Sequence, residues 1–548
     1  MKLINHLLFT LFFLLSSLYA NTTQTQPKLI LQITVDQLRG DLLDKYAKHM
    51  GEDGFKYLTN HGIWYKSAYF THSITQTAVG HTTLATGADP SIHGVVANRW
   101  FDRERQETIY SLQDKSHHKL SYSSKNKSSF KQNGRSPKNI LVSTFSDELA
   151  LFTNKKAKIF AVSVKDRGAI TLAGHTGKAF WFSKKSGKFI TSSYYYNNYP
   201  EWAKRYNKNR KNNLYDNKSW EPLLDISQYI YPDAKEGEVN YRDFGTTFPH
   251  KYGSVKDKYF NTRLALSPVG DELTLEFTKV LFQAENLGKD SVTDFLAISF
   301  STTDYVGHTF SPSSVEAEDN LLRLDRTLAN LFEFIDKEVG LENTLIVLSA
   351  DHGAPESSSN FHSCKIDSQH LNIIEFQEFA SKLKQLDIDM QLISSLNPPY
   401  IYLNHKYIKE KGFNLAKIRK EIASKLLKLD GVEVAITIED MQKNSNSFLI
   451  TSALKNYHPR NSGDILIVNK PHYIINSTKK NLSINHGSPW RYDRYVPIIF
   501  AGFHIKGQKV YREVEPTAIA PTLSAIVGAK APSGSVDYPL DEVLKEEF

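Results

Sequence analysis

The sequence predicts an α/β fold in which helices cover both faces of a mostly parallel β-sheet. Four apolar runs, rich in β-branched residues, each end just before a polar or charged residue: 29–35, 159–164, 295–300 and 345–348. Such runs are typical of buried parallel strands, and the helical patterns between them complete the alternation of an α/β sheet. With 548 residues, 40% of them hydrophobic, the chain is long enough to bury a large core.

Further elements follow from the same periodicities. In 321–335, leucine or isoleucine recurs every three or four residues, as on the buried face of a helix. Other predicted helices are 273–284 and 517–527, the second entered through Pro516, and other predicted strands are 465–468 and 496–500. Ligands of open α/β sheets bind beyond the carboxyl ends of the strands, so the functional residues are expected there.

Two stretches interrupt the alternation of strands and helices. Residues 168–258 are rich in Tyr, Asn, Lys and Trp, and residues 375–457 carry a helical pattern of their own. We interpret both as insertions into one catalytic domain, residues 21–548. As substrate-selecting loops do, they are expected to form covering elements over the carboxyl edge of the sheet.

The N-terminus predicts export from the cytoplasm. Residues 1–20 begin with Lys2, continue through an apolar run at 7–15 and end in small residues before Ala20, which is the pattern of a secretory signal peptide. An uncleaved membrane anchor is the alternative, but the apolar run is short for a span of about 20 residues. We therefore expect a periplasmic or secreted protein that is not inserted in a membrane after cleavage.

Composition limits the classes of partner. The single cysteine, Cys364, excludes an internal disulfide, and the net charge is +8. Basic runs at 115–127 and 204–211 lie among Asn, Ser and Tyr, and no nucleic-acid-binding motif accompanies them. We expect no nucleic-acid partner, and interpret the positive charge as a mild attraction for small anionic substrates.

Six residues form a candidate set of metal ligands: Asp36, Asp304, His308, Asp351, His352 and His486. Each alone is weak evidence, because a strand-end Asp usually caps a helix and a lone His is usually structural. Three of the Asp residues follow predicted strands, however, and would therefore meet at one edge of the sheet. Mixed imidazole and carboxylate ligands favour Zn²⁺ over Mg²⁺, although manganese or iron could use similar ligands.

A run of hydroxyl residues at 75–83 is predicted to enter a helix. A threonine at a helix start is usually an N-cap. Alternatively, a helix N-terminus and a bound metal would together favour the alkoxide, which is the nucleophilic form. Spacing alone does not select Thr77 over Thr75, Thr82 or Thr83.

A set of motifs occurs in a fixed order along the chain. They are Val35-Asp36-Gln37, Thr77-Ala78-Val79-Gly80-His81, His93-Gly94 with Asn98, Lys165-Asp166-Arg167, Thr303-Asp304-Tyr305-Val306-Gly307-His308, Ala350-Asp351-His352-Gly353 and Asn485-His486-Gly487. As a set they closely resemble the single-chain, phosphate-irrepressible (PafA-type) bacterial alkaline phosphatases of the alkaline phosphatase superfamily. The resemblance spans nearly the whole mature chain, and it implies an alkaline-phosphatase-like fold and zinc-dependent hydrolysis of phosphate monoesters.

The resemblance also implies residue roles and two Zn²⁺ ions per chain. Thr77 would be the nucleophile and form a phosphothreonine intermediate. Asp304, His308 and His486 would hold one zinc, while Asp36, Asp351 and His352, with the Thr77 oxygen, would hold the other. Asn98, Lys165 and Arg167 would contact the nonbridging phosphoryl oxygens, and their charge favours monoester dianions. His81 and His93 are interpreted as structural or supporting residues, and the enzyme is expected to be a monomer.

Three other functions are considered. Phosphodiesterases and nucleotide pyrophosphatases of the same superfamily share the metal ligands but are expected to lack the Lys165 and Arg167 pair. Sulfatases need a Cys-x-Pro-x-Arg type motif, whereas Cys364 is followed by Lys, Ile, Asp and Ser. A catalytically silent phosphate-binding or surface protein would have lost ligands that are all present here. The sequence therefore favours an alkaline phosphatase, a phosphoric monoester hydrolase.

Overall fold

The structure, a computed structural model, describes residues 26–121, 133–209, 212–234, 237–357, 372–443, 446–476 and 484–544. The predicted signal peptide, residues 1–20, and Cys364 lie outside these residues, as do parts of both basic runs. Within the described ranges no helix has the length and apolar character that crossing a bilayer requires.

A ten-stranded sheet forms the centre of the molecule. Its strands are β1 (Leu29–Val35), β2 (Ile63–Tyr69), β3 (Lys119–Leu120), β4 (Ile159–Ser163), β5 (Lys178–Ser183), β6 (Lys188–Ser192), β7 (Asp294–Phe300), β8 (Thr344–Ser349), β9 (Tyr495–Gly502) and β10 (Gln508–Val514). Their order across the sheet is β10-β2-β9-β8-β1-β7-β4-β5-β6-β3. The five central neighbours from β8 to β5 are parallel, and antiparallel pairs occur only towards the two sides. This confirms the predicted mostly parallel α/β sheet.

The register of the central strands gathers the ends of four of them at one edge. Every residue of β1 is buried, including Gln32 and Thr34, which agrees with its mostly apolar sequence. Val35 pairs with Phe300 of β7, and Ser299 of β7 pairs with Ser163 of β4. Because the parallel strands end at the same level, the polar residues that follow them are brought together.

Helices pack against the main sheet and around the smaller elements of the molecule. Those of six residues or more are α1 (Phe55–His61), α2 (Thr77–Thr86), α3 (Phe145–Phe152), α4 (Asp166–Ala173), α5 (Glu201–Asn209), α6 (Phe260–Ala265), α7 (Val269–Glu285), α8 (Thr302–Phe310), α9 (Val315–Glu338), α10 (Phe376–Gln385), α11 (His405–Glu410), α12 (Leu415–Leu426), α13 (Phe448–Asn456) and α14 (Ile519–Val527). The predicted segments 273–284 and 321–335 lie within α7 and α9. The segment predicted at 517–527 begins as a 3₁₀ turn, Pro516–Ala518, and continues as α14.

The two ranges predicted as insertions contribute differently. Strands β5 and β6, within 168–258, extend the main sheet. Later in that range, Trp220 and Tyr229 donate hydrogen bonds to Asp319 of α9, which joins this segment to the body of the protein. The range 375–457 supplies most of a separate antiparallel sheet, with strands Ile393–Asn397, Tyr400–Leu403, Ile465–Asn469 and Val432–Thr437 in spatial order. The strand predicted at 465–468 therefore belongs to this smaller sheet.

Candidate active site

One group of candidate ligands surrounds Asp304, in the first turn of α8. The Nε2 atoms of His308 and His486 lie 3.3 Å and 3.4 Å from Asp304 Oδ1. His308 is one helical turn after Asp304, so the helix alone aligns these two side chains. The three ligand atoms lie within 4.8 Å of one another, which is close enough for one metal ion to contact them all.

The second group lies beside the first, at the ends of β1 and β8. His352 Nε2 is 3.3 Å from Asp351 Oδ2 and 3.6 Å from Asp36 Oδ1. The rings of His352 and His486 stack with their centroids 3.6 Å apart, so the two groups adjoin. The structure therefore brings all six predicted ligands to one place.

The three histidine rings are held in the tautomer that leaves Nε2 free to bind a metal. The Nδ1 atoms of His308, His486 and His352 contact the backbone oxygens of Ile484, Thr75 and Gly353. Since a carbonyl oxygen only accepts, each Nδ1 carries the proton, and each Nε2 lone pair faces the carboxylates. Burial lowers the pKa of His352 to about 3 and also lowers the pKa of His486, so both rings are neutral near pH 7.

The carboxylates carry an excess of buried negative charge. Burial raises the pKa of Asp36 well above its usual range, and the charges of Asp304 and Asp351 raise it further. Lys165 Nζ lies 2.6 Å from Asp36 Oδ2 and 2.5 Å from Asp304 Oδ2. The contact with Asp36 is an ion pair by distance without hydrogen-bond geometry, because both Asp36 oxygens lack a hydrogen-bond partner among the described residues. One ammonium facing three buried carboxylates, together with neutral imidazoles, is a donor set that fits divalent cations.

Thr77 is the first residue of α2 and faces the second ligand group. The preceding residue, Gln76, occupies the N-cap position, so the capping interpretation of Thr77 is wrong. Thr77 Oγ1 lies 3.5 Å from His352 Nε2 and 3.4 Å from Arg167 Nη2, and the residue is 1% exposed. The hydroxyl is therefore placed between a candidate metal ligand and a cation.

The other candidate hydroxyls are engaged in structural hydrogen bonds. Thr75 Oγ1 donates to the Ser488 carbonyl, Thr82 Oγ1 donates to the Ala78 carbonyl, and Thr83 Oγ1 contacts His93 Nε2. These contacts distinguish Thr77 in a way that spacing along the sequence could not.

The backbone of helix α2 packs closely against the backbone of Asp351 in the second ligand group. A Cβ atom on Gly80 would lie 1.9 Å from the Asp351 carbonyl oxygen, so only glycine permits this approach. One residue later, His81 Nδ1 lies 3.0 Å from Asp351 Oδ2 and 2.9 Å from the Thr77 carbonyl oxygen. His81 thus supports Asp351, whereas the His93 ring contacts Thr83 and the backbone of Val95.

Arg167 and Asn98, two of the three residues predicted to contact the phosphoryl oxygens, lie beside Thr77. Arg167 Nε is buried without a hydrogen-bond partner among the described residues, which leaves this donor available for an oxygen of the substrate. Asn98 Oδ1 accepts from the Ala78 N–H, which leaves its Nδ2 donor available for an oxygen of the substrate. The third, Lys165, contacts Asp36 and Asp304.

Gln37 connects the two ligand groups, a role that was not predicted from the sequence. Its backbone N–H donates to Asp351 Oδ1 and its side-chain Nε2 donates to Asp304 Oδ1. Gln37 has a φ of 69°, in the left-handed region that a residue without a special role rarely adopts. Its place directly after Asp36 was the only available signal.

Two buried aspartates that were also missed hold the turns that carry ligands. Asp271 Oδ1 accepts from the N–H groups of Ser301 and Thr302, where the chain enters α8. Asp493 Oδ2 accepts from the N–H groups of Gly487 and Ser488, directly after His486. Burial raises the pKa of each carboxyl group to about 7.

We expect Asp271→Asn to remove part of the pH dependence of stability. Because the folded-state pKa of about 7 lies above the usual value, the folded protein loses stability as pH rises from about 4 to 7. Asparagine keeps an acceptor for the two N–H groups but does not ionise. Between pH 4.5 and 8, the free energy of unfolding should fall by about 2 kcal/mol more in the wild type than in the variant. Urea unfolding with a chelator present measures this difference, and parallel profiles would contradict it.

Comparisons with known proteins agree with the fold and with the arrangement of residues. The family model described as "Type I phosphodiesterase / nucleotide pyrophosphatase" matches residues 30–490. The chain is 35% identical to "Alkaline phosphatase PhoV" of Synechococcus elongatus over 95% of this chain and 94% of that protein. It is also 35% identical to "Alkaline phosphatase PafA" of Elizabethkingia meningoseptica, over 95% of each chain.

A solved structure extends the likeness to three dimensions. The crystal structure of wild-type alkaline phosphatase PafA superposes with a TM-score of 0.86 and 34% identity, over 95% of this chain and 99% of that one. These matches confirm the resemblance to PafA-type alkaline phosphatases. The chain therefore belongs to the type I phosphodiesterase/nucleotide pyrophosphatase family, in the alkaline phosphatase superfamily.

Proposed function

We propose that the protein is an alkaline phosphatase that hydrolyses phosphate monoesters through a phosphothreonine at Thr77. The observation that carries this proposal is the position of Thr77 Oγ1, between His352 Nε2 at 3.5 Å and Arg167 Nη2 at 3.4 Å. A nucleophile must stand beside both the group that activates it and the cation that holds the phosphoryl oxygens. The full-length relatives named alkaline phosphatases support the same activity.

We further propose that the two ligand groups hold two zinc ions. Asp304, His308 and His486 would bind one ion, and Asp36, Asp351 and His352 the other. Bound zinc lowers the pKa of hydroxyl and water oxygens and stabilises a leaving alkoxide. The neutral imidazoles and the excess of buried carboxylate charge support this assignment. The predicted signal peptide supports an exported enzyme, which we expect to be a monomer.

The reaction divides into two displacements at phosphorus. In the first, Thr77 Oγ1 loses its proton and forms a bond to phosphorus, the ester bond to the alcohol breaks, and the alcohol oxygen gains a proton. In the second, a water oxygen loses a proton and attacks the same phosphorus, the bond to Thr77 breaks, Thr77 Oγ1 regains a proton and inorganic phosphate leaves. In both steps Arg167 and Asn98 Nδ2 donate hydrogen bonds to the nonbridging oxygens. Because these donors are held in place, they stabilise the negative charge that develops on those oxygens in the transition state.

A cleft beside His486 supports the placement of the leaving alcohol. Its volume is ≈ 110 Å³, and its walls include Gln76, Pro399, Tyr473 and Tyr492. A cavity of about 150 Å³ holds benzene, so this cleft can accept a small alcohol or much of an aromatic ring. It adjoins the group of ligands that would stabilise the leaving oxygen.

The second candidate is a phosphodiesterase, because the matching family model is named for that activity. A diester exposes less charge on its nonbridging oxygens than a monoester dianion does. Arg167 and Lys165 would therefore contribute less to a diesterase. Comparing monoester and diester turnover on one purified, zinc-analysed sample separates the two functions, and faster diester hydrolysis would contradict our proposal.

We expect Arg167→Ala to reduce kcat/KM for a phosphomonoester by about 10²-fold to 10³-fold, but for a diester by less than about tenfold. Arg167 faces the proposed nucleophile, and its positive charge stabilises the extra negative charge of a monoester more than the single charge of a diester. Steady-state kinetics with p-nitrophenyl phosphate and bis-p-nitrophenyl phosphate measure both values. The exposed Arg205 is the matched control, and Arg205→Ala should leave kcat/KM unchanged for both substrates. Equal losses on both esters in Arg167→Ala would contradict the role in charge recognition.

A further inference from the structure

A second lysine stands beside Lys165 at the edge of the site. Lys184 directly follows β5, whose neighbour β4 ends just before Lys165. Since β4 and β5 are parallel, both lysines leave the sheet at the same edge. The Lys184 ammonium lies 3.6 Å from the centroid of the Tyr305 ring, and the Lys165 ammonium lies 4.9 Å from the same centroid.

Tyr305 connects Lys184 to the proposed catalytic residues. It follows Asp304 in α8, and its ring contacts both ammonium groups. The two nitrogens are therefore at most about 8.5 Å apart, the sum of their distances to the ring. A short carbon chain or one aromatic ring bridges such a span.

The charge of Lys184 is not neutralised within the described part of the chain. Lys165 pairs with two carboxylates, whereas the Tyr305 ring is the only partner of the Lys184 ammonium among the described residues. A cation–π contact fixes the position of an ammonium without cancelling its charge. Lys184 is half-buried, so its electrostatic field is screened less than that of a fully exposed lysine.

We propose that Lys184 binds a second anionic group of the substrate. Asn98 and Arg167 are assigned to the transferred phosphoryl group, and Lys165 pairs with Asp36 and Asp304. An additional cation at this distance is therefore placed for a more remote charge. The preferred substrates would then be phosphomonoesters that carry a second phosphate or a carboxylate a few bonds from the scissile ester. This inference rests on the proposed phosphomonoesterase function, and it adds a substrate class to it.

General attraction of anions by the positive surface is the competing explanation. The chain offers a matched control in Lys185, the next residue of the same turn, which is exposed and contacts no aromatic ring of the described residues. Lys184→Gln and Lys185→Gln remove the same charge from adjacent positions. A local binding role predicts an effect of the first substitution alone, whereas long-range attraction predicts similar effects of both.

The test compares substrates that differ by one charged group. We would measure kcat and KM for 3-carboxyphenyl phosphate and its neutral isostere, 3-carbamoylphenyl phosphate, and for 1,3-propanediol bisphosphate against 3-hydroxypropyl phosphate. In Lys184→Gln, the preference for the charged member of each pair should fall about fivefold to tenfold, mainly through KM. Lys184→Arg should retain most of the preference, and Lys185→Gln should retain all of it. The aromatic pair reports on carboxylate recognition and the aliphatic pair on phosphate recognition.

The outcomes separate this inference from the proposed function. Suppose that the wild-type protein hydrolyses the esters without a second charged group, but Lys184→Gln leaves the preference unchanged in both pairs. The role of Lys184 is then overturned, and the phosphatase assignment stands. Equal losses of preference in Lys184→Gln and Lys185→Gln would also overturn it. If zinc-loaded wild type hydrolyses no monoester, the proposed function itself fails.

Discussion

Thr77→Ala is expected to reduce kcat for phosphomonoesters by about 10⁴-fold or more while the protein keeps its metal. Alanine removes the oxygen that we propose to attack phosphorus, and the other candidate threonines of this segment are not free to replace it. Thr75, Thr82 and Thr83 are all engaged in hydrogen bonds of their own. Steady-state turnover of p-nitrophenyl phosphate and metal analysis of the same sample measure the two quantities.

A serine control tests whether the hydroxyl itself is responsible. Thr77→Ser keeps the oxygen and removes only a methyl group, so it should retain activity within about tenfold of the wild type. Rapid acid quenching during turnover should recover phosphate covalently attached to residue 77 in the wild type and the serine variant, but not in alanine. Substantial monoester hydrolysis by metal-loaded Thr77→Ala would exclude Thr77 as the nucleophile.

Asp36→Asn is expected to have opposite effects on activity and on the stability of the metal-free protein. Asparagine is a much poorer ligand for a divalent cation, so we expect weaker metal binding and a loss of at least about 10³-fold in kcat/KM. Without metal, however, Asp36 is a buried carboxyl group beside Asp304 and Asp351. Removing its charge should increase the free energy of unfolding of the metal-free protein by about 1 kcal/mol or more at pH 8.

Calorimetric metal titration and urea unfolding, with and without chelator, measure the two effects of Asp36→Asn. Asp53 provides the matched control, because it is exposed on the same domain and the same substitution there should change neither quantity. If Asp36→Asn destabilises the metal-free protein, charge crowding is not the dominant property of this group. If the variant binds metal as tightly as the wild type, Asp36 is not a ligand.

The central parallel strands, and the meeting of candidate metal ligands at their edge, could be predicted from the sequence because both depend on local pattern. A buried parallel strand is a continuous apolar run, and the polar residues after it must emerge at one edge. Asp36 and Asp351 were predicted in this way, and the structure places them together. The role of Thr77 required more, since several hydroxyls share its neighbourhood in sequence and only their partners in space distinguish them.

Other features depend on contacts between distant segments and left no local signal. Strand Ile465–Asn469 is as apolar as a strand of the main sheet, so its pattern could not reveal that it joins a different sheet. Asp271 lies on a helix far in sequence from the ligand whose turn it holds. Lys184 lies in an ordinary basic turn of the sequence, and only the approach of Tyr305 reveals its proximity to the site.

The spread of the ligands along the chain sets the order in which the centre is completed during synthesis. Asp36, Asp351 and His352 have all been made well before His486, so the two ligand groups mature at different times. A chain synthesised only as far as residue 485 lacks the last candidate ligand of the group around Asp304. That group can therefore be completed only after nearly the whole polypeptide has been made, whereas the group of Asp36, Asp351 and His352 can be completed more than 130 residues earlier.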